Sequence, residues 1–144
     1  MTEKTHHRVD LAKEQLDVAL ELFLSSRSMV SALTLASAAE EILGKALQHC
    51  GSKSSLQMSH ETIVIPMTHL RKKRYTIEQF SCEQNAARNA AKHMGRSSET
   101  TLTADLEDAA MQMIVRAYDN YCRLGFDRTQ RMDDFEQWFQ KNIA

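Results

Sequence analysis

Proline occurs once and glycine four times in 144 residues. Such scarcity argues against short strands joined by tight turns, because those turns draw on both residues. The three cysteines, Cys50, Cys82 and Cys122, are odd in number and far apart, and no pair is spaced as Cys-x-x-Cys. A disulfide framework and a zinc site of that spacing are therefore not expected, and a reduced, cytoplasmic protein is. With 18 basic and 19 acidic side chains the net charge is -1, so no global positive field draws the chain onto nucleic acid, and any such contact must be local. No apolar run is long enough to cross a bilayer, and Met1 to Asp10 carries no apolar core of an export signal.

What is present favours helices. The chain is 42% hydrophobic and 26% charged, within the range of ordinary globular proteins, and rich in Ala, Leu, Glu, Gln, Lys and Met. Its 144 residues suit one domain with its own core. Val9, Ala12, Leu16, Ala19, Leu20, Phe23 and Leu24 recur at three- and four-residue steps, predicting a first helix over about Val9 to Ser25. A short Ser25–Ser28 connection turns into a second helix, about Met29 to Cys50, with Gly51 as its stop. Small residues in it, Gly44 among them, allow neighbouring backbones to approach closely. Its stripe Met29, Leu33, Ala36, Glu40, Leu43, Leu47 sets one carboxylate among apolar groups, whereas Glu41 pairs with Lys45 four residues on.

Residues 51 to 75 are the least regular, with Thr62 to Pro66 read as an extended piece and Arg71-Lys72-Lys73-Arg74 as a compact basic run. Thr76-x-x-Gln79 is a capping box opening a third helix that runs to about Met94 and stops at Gly95. A fourth, about Thr103 to Leu124, buries Leu106, Ala109, Ala110, Met113, Ala117 and Tyr121. A fifth, about Arg131 to Asn142, buries Phe135, Trp138 and Phe139. The expected fold is all-α: an antiparallel four-helix bundle over residues 9 to 124, with a short C-terminal helix over 131 to 142, in a single domain spanning 1 to 144.

Chemistry concentrates in Arg88-Asn89-Ala90-Ala91-Lys92-His93. A histidine that titrates near neutrality can take the proton from a ribose 2′-hydroxyl, and an arginine can stabilise charge building on the adjacent phosphate. That chemistry needs no metal and no cofactor. On a continuous helix Arg88 and His93 lie about 140° apart, at the edges of an arc opposite the face of Ile77, Phe80, Ala87, Ala91 and Met94. One subunit cannot close both around a phosphate with that geometry, but two copies across a two-fold axis can. The alternative is a solvated polar face.

This run resembles the motif of HEPN-domain ribonucleases, helical bundles that are commonly dimeric: an arginine, four to six residues, then a histidine, often with a polar residue directly after the arginine. The stretch Ser31 to Leu47 is similar to the second helix of bacterial members. The resemblance covers about residues 9 to 124, and its specific part is the six-residue motif. It implies Arg88 and His93 as catalytic, with Asn89 in support; read from the residues themselves, Lys92 and Glu40 join the supporting set, and Arg71, Lys72, Lys73 and Arg74 are either a guide for an RNA backbone or a solvated loop. The resemblance further implies a homodimeric, metal-independent endoribonuclease, a toxin or phage-defence effector that an inhibitory protein could hold in check. Two auxiliary positions depart from the family: Ala87 stands where some members have lysine, and Gly95 where some have tyrosine. The second reading is a non-catalytic dimer that binds a protein or nucleotide partner.

Other signals are weaker. Glu40 either orients Arg88 or reaches water at the edge of the bundle. The sole Glu-x-x-His pair, Glu3 and His6, falls in the polar N-terminal stretch, so a di-metal carboxylate bundle is not expected. Tyr118, Tyr121 and Trp138 read as core or interface rather than base-stacking platforms.

Overall fold

A computed structural model describes residues 1–64, 76–94 and 100–143. Among these residues the secondary structure is entirely helical. Helix α1 spans Arg8–Leu24 and α2 spans Met29–His49. Both end in Schellman geometry. Ser26 and Arg27 donate back to the carbonyls of Phe23 and Leu22, and Gly51 and Ser52 to those of Gln48 and Leu47. Gly51 takes the left-handed conformation at φ 77°, which glycine adopts freely, but Ser26 takes the same role at φ 53° with a Cβ to accommodate.

The expected extended piece at Thr62 to Pro66 is corrected in part. Ser54 and Gln57 form a capping box that opens a short helix α3, Ser55–Ser59, and a π-helical turn over His60–Val64 continues it. Thr62, Ile63 and Val64 are thus helical, and the Thr62 hydroxyl donates to the Met58 carbonyl at 2.9 Å. Ile65 and Pro66 lie outside the described residues, as do Arg71, Lys72, Lys73, Arg74 and Gly95.

The predicted capping box at Thr76 is present: Gln79 N–H donates to Thr76 Oγ1 at 3.2 Å, and Thr76 N–H to Gln79 Oε1 at 2.9 Å. The helix it opens is not continuous, which corrects the single third helix expected. It divides into α4, Ile77–Gln84, and α5, Ala86–Lys92, at Asn85 (φ -105°, ψ 4°). Asparagine favours local side-chain bonds over helix. Here its carboxamide accepts from Arg116 Nη1 at 3.3 Å and donates to Ser81 Oγ at 3.3 Å. Phe80 is buried and Ala87 and Ala91 pack on the core as anticipated, whereas Met94 is exposed.

Helix α6 spans Leu106–Arg123 and α7 spans Gln130–Asn142, capped by Asp105 and Thr129 respectively. The core lies where α2 packs along α1 and along α6, with Leu16, Leu20, Leu33, Leu43 and Ile114 fully enclosed. Helix α7 docks on α1 through aromatic edges: Phe23 meets Trp138 at 4.8 Å and 90°, and Phe135 at 5.7 Å and 72°. Among the described residues no helix is long and apolar enough to cross a membrane.

Candidate functional site

Three helices bring charge to one place in the interior. From α2 comes Glu40, only 5% exposed, and from α6 comes Arg116, 8% exposed. From α5 comes Arg88, whose side chain is 17% exposed. Glu40 is therefore buried and paired rather than at the water-facing edge of the bundle, with Arg116 as its tight partner and Arg88 farther off.

The carboxylate serves its two arginines unequally. Arg116 Nη2 donates to Glu40 Oε1 at 2.8 Å, a charge-assisted bond at full strength. Arg88 Nη1 stands 4.0 Å from Glu40 Oε2, and its Nη2 stands 3.5 Å from Glu41 Oε2 on the rim. Both distances are long for hydrogen bonds. Arg88 is held by charge on two sides and tightly bonded on neither. Arg88 Nε and Arg116 Nε are buried without a partner among the described residues. Two guanidinium groups and one buried carboxylate leave the cluster with one excess positive charge.

Glu41 completes the rim. Lys45 donates to it at 3.0 Å. That bond, with the fields of Lys45, Arg88 and Lys92, holds the Glu41 carboxyl below the ordinary glutamate range against a modest opposing effect of burial. The expected Glu41–Lys45 surface pair is thus present, and Lys92 contributes to the same positive field.

Arg88 forms part of the wall of two clefts. One, of about 240 Å³, includes Glu40, Glu41, Ser54, Ser81 and Asn85 in its lining. The other, of about 430 Å³, runs between α5 and the start of α6, and Arg116 lines it too.

His93 lies elsewhere. Helix α5 ends at Lys92, and His93 is its C-cap in extended conformation (φ -135°, ψ 134°), exposed and outside the lining of both clefts. The 140° separation expected on a continuous helix does not describe it, because His93 has left the helix. Asn89 and Lys92 are exposed as well. Among the described residues the hydrogen bond joining Asn89 to His93 runs through the backbone, His93 N–H to the Asn89 carbonyl at 3.0 Å. The structure thus brings Glu40 and Arg88 together and leaves Asn89, Lys92 and His93 in a row at the exposed end of α5.

Arg116 and Asn120 went unread in the sequence. Asn120 is fully buried and ties three elements together: its Oδ1 accepts from Ser55 N–H at the start of α3 at 2.8 Å, and its Nδ2 donates to the Glu40 carbonyl at 3.4 Å. Gly44 makes this possible, since a Cβ there would stand 3.3 Å from Asn120 Nδ2 and 3.3 Å from Ser54 Cβ. A signal existed. Ala109, Met113, Arg116 and Asn120 follow one four-three-four ladder, and two polar residues in an inward ladder announce a buried network.

Elsewhere, burial pushes up the Cys122 thiol and the Tyr121 hydroxyl, which donates to the Asp127 carbonyl at 2.6 Å. Burial likewise raises the Tyr118 hydroxyl, with Cys122 beside it adding to the effect. These groups face the α6–α7 side and not the Arg88 cluster. No protein-family model, curated protein or solved structure matches the chain.

Proposed function

We propose that this chain is a single-domain, HEPN-like endoribonuclease, an antiparallel four-helix bundle with an added C-terminal helix, acting as a cytoplasmic homodimer without a metal ion. The observation that carries this reading is the seating of Arg88. Two carboxylates, at 4.0 and 3.5 Å, orient its guanidinium without consuming it, five residues before an exposed histidine. A cation meant to meet a phosphate needs that combination of fixed direction and unspent donors.

In this reading His93 takes the 2′-proton as the 2′-oxygen attacks the neighbouring phosphorus. The P–O5′ bond breaks, the leaving 5′-oxygen takes up a proton from solvent, and the upstream fragment keeps a 2′,3′-cyclic phosphate. Arg88 stabilises the charge that builds on the non-bridging oxygens, and Glu40 orients it. Asn89, Lys92 and His93 lie on the face that meets the second copy, and Arg71, Lys72, Lys73 and Arg74 guide the RNA backbone. Such an activity suits a toxin or phage-defence effector restrained by an inhibitory protein.

One observation favours the non-catalytic reading, in which the domain binds a protein or nucleotide. The pairs Arg88 makes with Glu40 and Glu41 also fasten α5 to α2, a role that is complete within one chain. Incubating the purified protein with mixed cellular RNA in excess chelator separates the two. Cleavage by wild type that is lost in both Arg88→Ala and His93→Ala supports the nuclease, and no cleavage of any RNA supports the binding domain.

A further inference from the structure

The inequality within the buried cluster has a functional meaning. Glu40 has one negative charge and two arginines within reach, and a buried carboxylate takes the tightest partner that geometry permits. Without Arg116, the cation nearest to Glu40 among the described residues would be Arg88, already 4.0 Å away and on a side chain with four rotatable bonds. Arg88 would close on Glu40 in a tight pair, and its donors would be spent inside the protein. Arg116 forestalls this by taking Glu40 Oε1 at 2.8 Å.

A second contact supports the same role. The other arm of the Arg116 guanidinium donates to the Asn85 carboxamide at 3.3 Å, at the break between α4 and α5. Arg116 therefore also fixes the joint from which α5, and Arg88 on it, projects. Its own side chain is only 9% exposed, and it meets the larger cleft as part of its wall while its guanidinium is engaged by Glu40 and Asn85.

We propose that Arg116 is a positioning residue: by engaging Glu40 and Asn85 it keeps the buried carboxylate from capturing Arg88, and leaves the Arg88 guanidinium free for a phosphate group. This rests on the reading of Arg88 as a phosphate-binding group, and extends it to a residue that acts through Glu40 and Asn85.

The test reads Arg88 directly, without any need for cleavage. The Arg88 Nε–H resonance is identified by its absence in Arg88→Lys and followed by NMR during titration with inorganic phosphate, in wild type, Arg116→Met, Glu40→Gln and the double variant Arg116→Met/Glu40→Gln. Wild type is expected to respond to phosphate. In Arg116→Met the Arg88 resonance should become more ordered and the apparent phosphate affinity fall at least about tenfold, because Glu40 now holds Arg88. In the double variant the carboxylate charge is gone, so affinity should recover at least about threefold over Arg116→Met, while staying below wild type because Glu40 no longer orients Arg88. A merely structural role for Arg116 predicts no such rescue. If Arg116→Met does not fold, the double variant decides: loss of phosphate response in a folded double variant overturns the proposal. So does an Arg88 response equal in wild type and Arg116→Met, or absent in wild type. Cleavage of RNA is scored separately, so a protein that shows this phosphate pattern but cuts nothing refutes the nuclease and leaves the role of Arg116 standing.

Discussion

Replacing Asn120 by alanine removes a side chain that joins α6 to α2 and to the start of α3. The loss is estimated from its two bonds. Ser55 N–H, bonded at 2.8 Å, would be left without a protein acceptor in a half-buried position. An unsatisfied donor costs about 1–3 kcal/mol. The second bond, at 3.4 Å to a carbonyl inside α2, adds little. The expected destabilisation is about 2 kcal/mol, equivalent to a fall in Tm of about 4–8 °C for a chain of 144 residues. Gly44 sharpens the prediction. Helix propensity alone favours Gly44→Ala by about 1 kcal/mol. The new Cβ would, however, press on Asn120 and Ser54 at 3.3 Å each. Neither neighbour can readily give way, since Asn120 is held by two bonds and Ser54 by its capping box. Overpacking of this kind costs about 1–3 kcal/mol, so Gly44→Ala should destabilise the wild type. In the Asn120→Ala background one of the two close contacts is gone, and the same substitution should become neutral or stabilising. Urea unfolding of the four proteins, followed by far-UV circular dichroism, gives the coupling, expected to be about 1 kcal/mol or more. Stabilisation by Gly44→Ala in the wild type, or strict additivity, would show that Gly44 and Asn120 are not in steric conflict.

Three further outcomes are expected. Ser26→Gly should raise stability by about 1 kcal/mol in thermal or urea unfolding, because the residue is held at φ 53° in a Schellman turn. Cys50 and Cys82 are exposed whereas Cys122 is half-buried with its thiol pushed up by burial, so iodoacetamide near pH 8 should modify two cysteines quickly and Cys122 slowly, as mass spectrometry would resolve. Glu41 is held below its ordinary range first by Lys45, so Lys45→Met should move its NMR titration upward; since the folded value is the depressed one, the pair's contribution is present above the unfolded glutamate value of about 4.3 and fades as pH falls through the folded value.

The main helices were legible because their signals are local. The apolar periodicity of α1, α2, α6 and α7, the capping box at Thr76 and the stop at Gly51 each depend on residues within a turn or two, and each stands where expected to within about three residues. Even α3 had a local signal in Ser54 and Gln57 that went unread. The break at Asn85 had no sufficient local cause. An asparagine inside a helical pattern is tolerated, and one of the two bonds its carboxamide makes at the break comes from Arg116, 31 positions away in the chain. The same holds for the site. Glu40 was recognisable as a carboxylate out of place in an apolar stripe, but which arginine it would grip depended on how α6 lies against α2. Periodicity along α5 likewise placed Arg88 and His93 on one helix, and the early end of α5 at Lys92 separates them.

On the nuclease reading proposed above, Arg88 and His93 cut RNA by transfer to the neighbouring 2′-oxygen. The most direct measurement is the end-group chemistry of RNA incubated with the protein in excess chelator. The expected products are upstream fragments ending in a 2′,3′-cyclic phosphate and downstream fragments beginning with a 5′-hydroxyl, both absent for His93→Ala. Fragments that begin with a 5′-phosphate, or undiminished cleavage by His93→Ala, would contradict it.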